Sequence, residues 1–86
     1  MSPVPTPAQT LKQLVLYMTQ ALVDRPQEVE VTTNEGQHSI LIKVSAAPDD
    51  VRMVIGKGGQ TANALRRIVS SAATKLHKKV LLEIQE

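Results

Sequence analysis

Three of the four glycines in this 86-residue chain fall within Gly56-Lys57-Gly58-Gly59. Glycine reaches positive φ without steric cost and lets another backbone come close, so this concentration marks a sharp turn. Its flanks narrow what the turn joins. Before it, Pro48-Asp49-Asp50 opens a short apolar helix running through Val51 to Ile55, with both carboxylates expected as caps at its start. After it, a longer helix begins near Gln60 and carries Ala62, Leu65, Val69, Ala72, Ala73 and Leu76 at helical spacing. A dinucleotide fingerprint needs a strand before its glycines, and the G-x-x-x-x-G-K-[S/T] spacing of a Walker loop does not occur. Two readings of the segment remain. It is either a plain inter-helix turn or a phosphate site, in which outward-facing amides at the start of the long helix and the Lys57 ammonium meet an anion.

The distribution of charge bears on that choice. The formal net charge of +2 conceals an acidic first half: residues 1–50 carry three basic and six acidic side chains. From Val51 through Leu82 the basic residues are Arg52, Lys57, Arg66, Arg67, Lys75, Lys78 and Lys79, and there is no acidic one. One-sided charge of this kind is the footprint of a polyanion-binding face. It is also what a solvated helix presents for solubility alone. Lys75, Lys78 and Lys79 have a separate structural reading, as cations opposing the negative end of the long helix.

The rest of the chain reads as a small α+β domain. Pro3, Pro5 and Pro7 deny helical geometry to residues 1–7, which are expected to form a frayed arm ahead of a domain over 8–86. Leu11, Leu14, Val15, Met18 and Leu22 form the apolar stripe of a first helix over about 8–23, with Thr6 or Thr10 as cap and Asp24-Arg25-Pro26 as stop. Val29, Val31 and Thr33 alternate with polar residues, Asn34-Glu35-Gly36 signals a turn, and Ile40, Ile42 and Val44 mark a second strand, so a hairpin is expected. Val80, Leu82 and Ile84 supply a third strand. The order αββααβ buries its apolar faces only if the three helices gather on one face of a three-stranded sheet, giving a two-layer sandwich.

Composition limits the chemistry. Tyr17 is the only aromatic residue, which disfavours nucleic-acid binding by stacking platforms. With no cysteine and only His38 and His77, no metal centre or cofactor is expected, and no Ser-His-acid set or nucleotide loop suggests an enzyme. No apolar stretch approaches a membrane span and the N-terminus lacks a leader pattern, so the chain is expected to be soluble and cytoplasmic.

Val54-Ile55-Gly56-Lys57-Gly58-Gly59-Gln60-Thr61-Ala62 resembles the hallmark of KH domains, an apolar Ile-Gly-x-x-Gly loop between two helices. The helix-strand-strand prefix resembles the prokaryotic, type II arrangement, and over roughly residues 8–86 the chain is similar to the small bacterial single-KH proteins of the KhpA type. This resemblance implies that Gly56, Lys57, Gly58 and Gly59 clamp the backbone of about four nucleotides of single-stranded RNA. It also implies that Ile55, Ala62 and Leu81 or Leu82 border the groove for the bases, with base edges reaching backbone groups of the last strand. Two positions depart from the family pattern. Gln60 stands where relatives are commonly basic, and Arg52 where many carry glycine; Arg52 either replaces the phosphate contact missing at Gln60 or narrows the groove. Arg66 is a further candidate RNA contact, Arg67 a weaker one. The family's self-association implies a dimer surface around Ile68, with a second copy or a larger KH-containing protein of the Jag type as partner. The function expected is that of a post-transcriptional regulator or RNA chaperone. The competing expectation is a dimerisation or docking module with slight RNA affinity.

Overall fold

The computed structural model describes residues 4–85. Its elements follow the order α1 (Pro7–Leu22), β1 (Glu30–Glu35), β2 (Ser39–Ser45), α2 (Val51–Ile55), α3 (Gln60–Lys75) and β3 (Lys79–Ile84), with single 3-10 turns at Pro26–Glu28, Pro48–Asp50 and Lys57–Gly59. β2 is the central strand, paired antiparallel with β1 and parallel with β3. Parallel strands need a long crossover, and α2, the glycine turn and α3 supply it.

Register places the apolar residues of all three strands on one face. Val31 lies opposite Val44, Ile42 opposite Leu82, and Ile40 opposite Val80. Ile40, Ile42 and Val44 are fully buried there against Leu11 and Val15 of α1 and Val69 of α3. The other face carries Glu30, Thr32, Lys43, Lys79 and Glu83, all exposed. Burying each Leu, Ile or Val in this interface contributes about 1.5–3 kcal/mol, which is what lets a chain with one aromatic residue hold a core. Among the described residues no helix is long and apolar enough to cross a membrane.

Several local features differ from the sequence reading. α1 begins at Pro7, which the sequence assigns to the arm. Proline has no N–H to leave unsatisfied at the first helical position, and Thr6 closes a capping box with Gln9 ahead of it. Residues 1–3 of that arm lie outside the described residues. The α1 stripe is rotated from the expected one, centring on Ala8, Leu11, Val15 and Thr19, while Leu14 and Met18 are only half-buried and Leu22 is exposed. The Thr19 hydroxyl, fully buried, has no hydrogen-bond partner among the described residues.

Asp50 is not the cap that its position suggests. It makes no side-chain bond to the α2 amides; instead it is buried, and its Oδ2 accepts from the backbone N of Arg25 at 3.0 Å. A carboxylate at the start of α2 thus ties that helix to the α1–β1 connection, 25 residues away in sequence. Lys78 is redirected in the same way. α3 ends in a Schellman motif with His77 at φ +59°, where Lys78 N donates to Ala73 O and His77 N to Thr74 O. The Lys78 Nζ then turns away from the helix end and donates to Gln37 O at 2.9 Å, beside Glu35 at 3.4 Å, fastening the tip of the β1–β2 hairpin.

Candidate nucleic-acid interface

The loop between α2 and α3 follows from three left-handed residues in a row of four. Gly56, Gly58 and Gly59 have φ of +76°, +61° and +79°. They do different things. A Cβ on Gly56 would stand 2.2 Å from Thr61 Oγ1 and 2.9 Å from Thr61 N, so the two helices approach here at a distance that only glycine permits. Around Gly58, by contrast, nothing lies within 4 Å of where a Cβ would be. Gly56 makes the corner and Gly58 exposes it.

The outward amides expected from the sequence are present in part. Gly56 N donates to Arg52 O at 2.8 Å, Gly59 N to Gly56 O at 3.2 Å, and Gln60 N to Lys57 O. The amides of Lys57 and Gly58 have no hydrogen-bond partner among the described residues. The corner therefore offers two adjacent donors, with the exposed Lys57 side chain beside them. Lys57 itself forms no ion pair among the described residues. Nor do Arg52, Arg66, Arg67, Lys75 or Lys79, which leaves Lys78 as the one paired cation of the basic half. The positive charge there is uncompensated.

Beside the loop runs a groove of about 490 Å³, lined by Val51, Arg52 and Ile55 of α2, by Ser45, Ala46 and Pro48, and by Gln85. Its wall is largely aliphatic, with the Arg52 guanidinium, the Ser45 hydroxyl and the Gln85 amide on it. Ile55 lines this groove, and Arg52 borders the same space. Ala62 and Leu82 are placed differently. Both are buried, at 3% and 7% exposure, and back the groove region rather than present a side chain to it. Leu81, its alternative on β3, points to the opposite sheet face and is exposed.

What β3 does offer is an open edge. Lys79 N donates to His38 O and Gln85 N to Val44 O, so alternate residues from 79 to 85 turn their backbone groups toward β2. Val80, Leu82 and Ile84 turn theirs outward. Arg66 crosses from α3 to this edge: its Nε donates to Leu82 O and its Nη1 to Asn63 Oδ1, both at 3.2 Å. A second, shallower hollow of about 730 Å³ follows α3 past Gln60, Asn63 and Arg67 to Ile68. Ile68, 49% exposed, also borders an apolar hollow shared with Tyr17, Ala21 and Leu22 of α1 and with Ala64. The sequence offered the glycine loop and Arg66. It did not offer the Arg66–Leu82 bond, which depends on how α3 lies against β3.

The chain is similar to known proteins over most of its length. A family model described as KhpA/KhpB, KH domain, matches residues 12–84. An RNA-binding protein KhpA from Halalkalibacterium halodurans is 47% identical over 74 residues, covering 86% of this chain and 97% of that protein. Another, from Clostridium perfringens, is 42% identical over 74 residues, covering 86% and 99%. Among solved structures, Era from Aquifex aeolicus superposes with a TM-score of 0.66 at 20% identity, covering 96% of this chain and 31% of Era, a likeness of fold.

The two glycines separate cleanly under substitution. Gly56→Ala combines a left-handed φ with a clash against backbone that cannot move, and is expected to destabilise by about 3 kcal/mol or more. Gly58→Ala meets only the conformational term, about 1–2 kcal/mol. Urea denaturation of the two variants checks the ranking; equal losses would mean that the Gly56–Thr61 approach is not what fixes the corner.

Proposed function

The chain belongs to the KhpA/KhpB KH-domain family, and on that premise we propose that it is an RNA-binding protein that grips about four nucleotides of single-stranded RNA at Gly56-Lys57-Gly58-Gly59. The observation that carries this reading is the pair of unpartnered amides at Lys57 and Gly58, exposed on a glycine corner beside an uncompensated ammonium group. A phosphate completes both. The neighbouring phosphates meet Gly59 and Gln60, and the bases lie in the groove against Ile55 with Arg52 beside them. Ala62 and Leu82 support that region from within, Leu82 through its backbone at the open edge of β3. Arg66 reaches the same edge. Stacking has no part in this, which agrees with Tyr17 as the sole aromatic residue. The curated relatives named above are called RNA-binding proteins, and we assign this chain the role of a post-transcriptional regulator or RNA chaperone rather than an enzyme.

Affinity of this kind rests on phosphate contacts and falls with added salt. The test is Lys57→Asp combined with Gly58→Asp. Gly58 has open space around it, and aspartate tolerates the left-handed region better than most residues, so the fold is expected to persist. Two carboxylates then face the phosphates. Fluorescence polarisation with a short single-stranded RNA is expected to show binding reduced at least tenfold; undiminished binding by the folded double variant would place the site elsewhere.

A second reading, a dimerisation or docking module, has its own observation. Tyr17, Leu22 and Ile68 leave large apolar surface exposed side by side where α1 meets α3, and such patches mark interaction sites. The proposed occupant is a second copy of this chain or a Jag-type protein with its own KH domain. Ile68→Asp is expected to convert a self-associated species to monomer in sedimentation velocity while RNA binding stays measurable. Association unchanged by this charge would remove Ile68 from the interface.

A further inference from the structure

Asp50 is the one charged side chain that is buried among the described residues, at 2% exposure. Burying a carboxylate costs free energy unless a donor meets it, and here the backbone N–H of Arg25 does so at 3.0 Å. Its neighbour Asp49 is exposed. The bond matters because of what α2 is. A helix of five residues is too short to hold its own shape in water. Val54, fully buried, seats α2 on the core, but an apolar contact has no direction and leaves the helix free to pivot about it. The Asp50–Arg25 bond supplies a direction, fixing the start of α2 to the α1–β1 connection, and the Gly56–Thr61 approach fixes its end. Between those two points α2 presents Val51, Arg52 and Ile55 to the groove, while the sheet holds Ser45 and Gln85 on the opposite wall.

Resting on the RNA-binding reading above, we infer that Asp50 is a positioning residue for RNA: its buried bond to the Arg25 amide holds α2 at the angle that forms the groove wall, so that bases beside the glycine corner meet a preformed surface. Asp50 itself does not touch the RNA. Without the bond, α2 is seated in only a fraction of the molecules, and affinity falls by that fraction. The corner is held separately, by Gly56 against Thr61 at the start of α3, so the phosphate contact remains. The sign of the effect is opposite to that of charge alone. Removing a carboxylate from the surroundings of a polyanion site raises affinity by lessening repulsion. Removing this one lowers it.

The test compares a uridine octamer with an octamer of the same sugar-phosphate backbone that lacks bases, by fluorescence polarisation at low salt on folded protein. The ratio of the two affinities measures what the groove adds to the corner. Asp50→Ala is expected to lower that ratio about fivefold or more, since hydrogen bonds to charged groups are among the stronger ones, while the affinity for the baseless octamer does not fall. Asp50→Asn keeps a carbonyl acceptor for the Arg25 amide and is expected to preserve most of the ratio. Asp49→Ala removes the same charge from an exposed position and is expected to leave the ratio unchanged. Val31→Ala opens a cavity under β1, at the sheet edge opposite β3, and is expected to lower stability but not the ratio. Should Asp50→Ala fail to fold, Asp50→Glu keeps the charge, displaces the oxygens by one methylene, and is expected to lower the ratio in the same direction. A ratio that neither Asp50→Ala nor Asp50→Glu shifts, or that Asp50→Asn or Val31→Ala lowers as far as Asp50→Ala does, would overturn the inference. If the unaltered protein bound both octamers equally, the groove would add nothing and the inference would fall with the corner still standing; if it bound neither, the RNA-binding reading itself would fall.

Discussion

No side chain fits at Gly56. Thr61 stands so close that even a methyl group would overlap its backbone nitrogen, and this contact sets the angle at which α2 meets α3. The other features of the site are arranged around that corner. Because Gly56 turns with positive φ and its N–H closes on Arg52 O, the chain emerges from α2 with Lys57 and Gly58 on the outside. Gly59, the third residue of positive φ, then leads the chain into α3. The two amides exposed between these closures are left without a partner by the same geometry that makes the turn.

The corner is held from both sides. Behind it, Ala62, Leu65, Val69 and Ala73 bury one face of α3 against the sheet, while Val54 fixes α2 from below. Ahead of it, Asp50 spans from the first turn of α2 to the Arg25 backbone, so α2, only five residues long, does not depend on its own hydrogen bonds for position. The sheet adds an open edge on β3 beside the same groove. The result is an exposed backbone corner set beside a groove and an open strand edge.

How far this was legible in the sequence depended on whether a feature was local. The three strands, the α3 stripe and the glycine corner each follow from periodicity or from glycine's φ, and all three appear where expected. The family was legible too, because the Ile-Gly-x-x-Gly segment is contiguous. Features made by long-range pairing were not. Asp50 looked like a helix cap because its sequence neighbours are helix starters, and only the fold brings Arg25 N to it. Lys78 looked like a helix-end cation, yet the Schellman turn at His77 redirects it to the hairpin tip. Thr19 was hidden because a hydroxyl in an apolar stripe does not register as core. Ala62 and Leu82 were expected beside the groove, and burial puts their side chains behind it.

The central claim is that a polyanion is held by the Lys57 and Gly58 amides at the α2–α3 corner. Amide chemical shifts of isotope-labelled protein titrated with a short single-stranded RNA test it most directly. The account requires the largest movements at Lys57 and Gly58, with smaller ones from Val51 to Ile55. Movements confined to the outer sheet face around Lys43 and Leu81, with the corner amides unmoved, would contradict it.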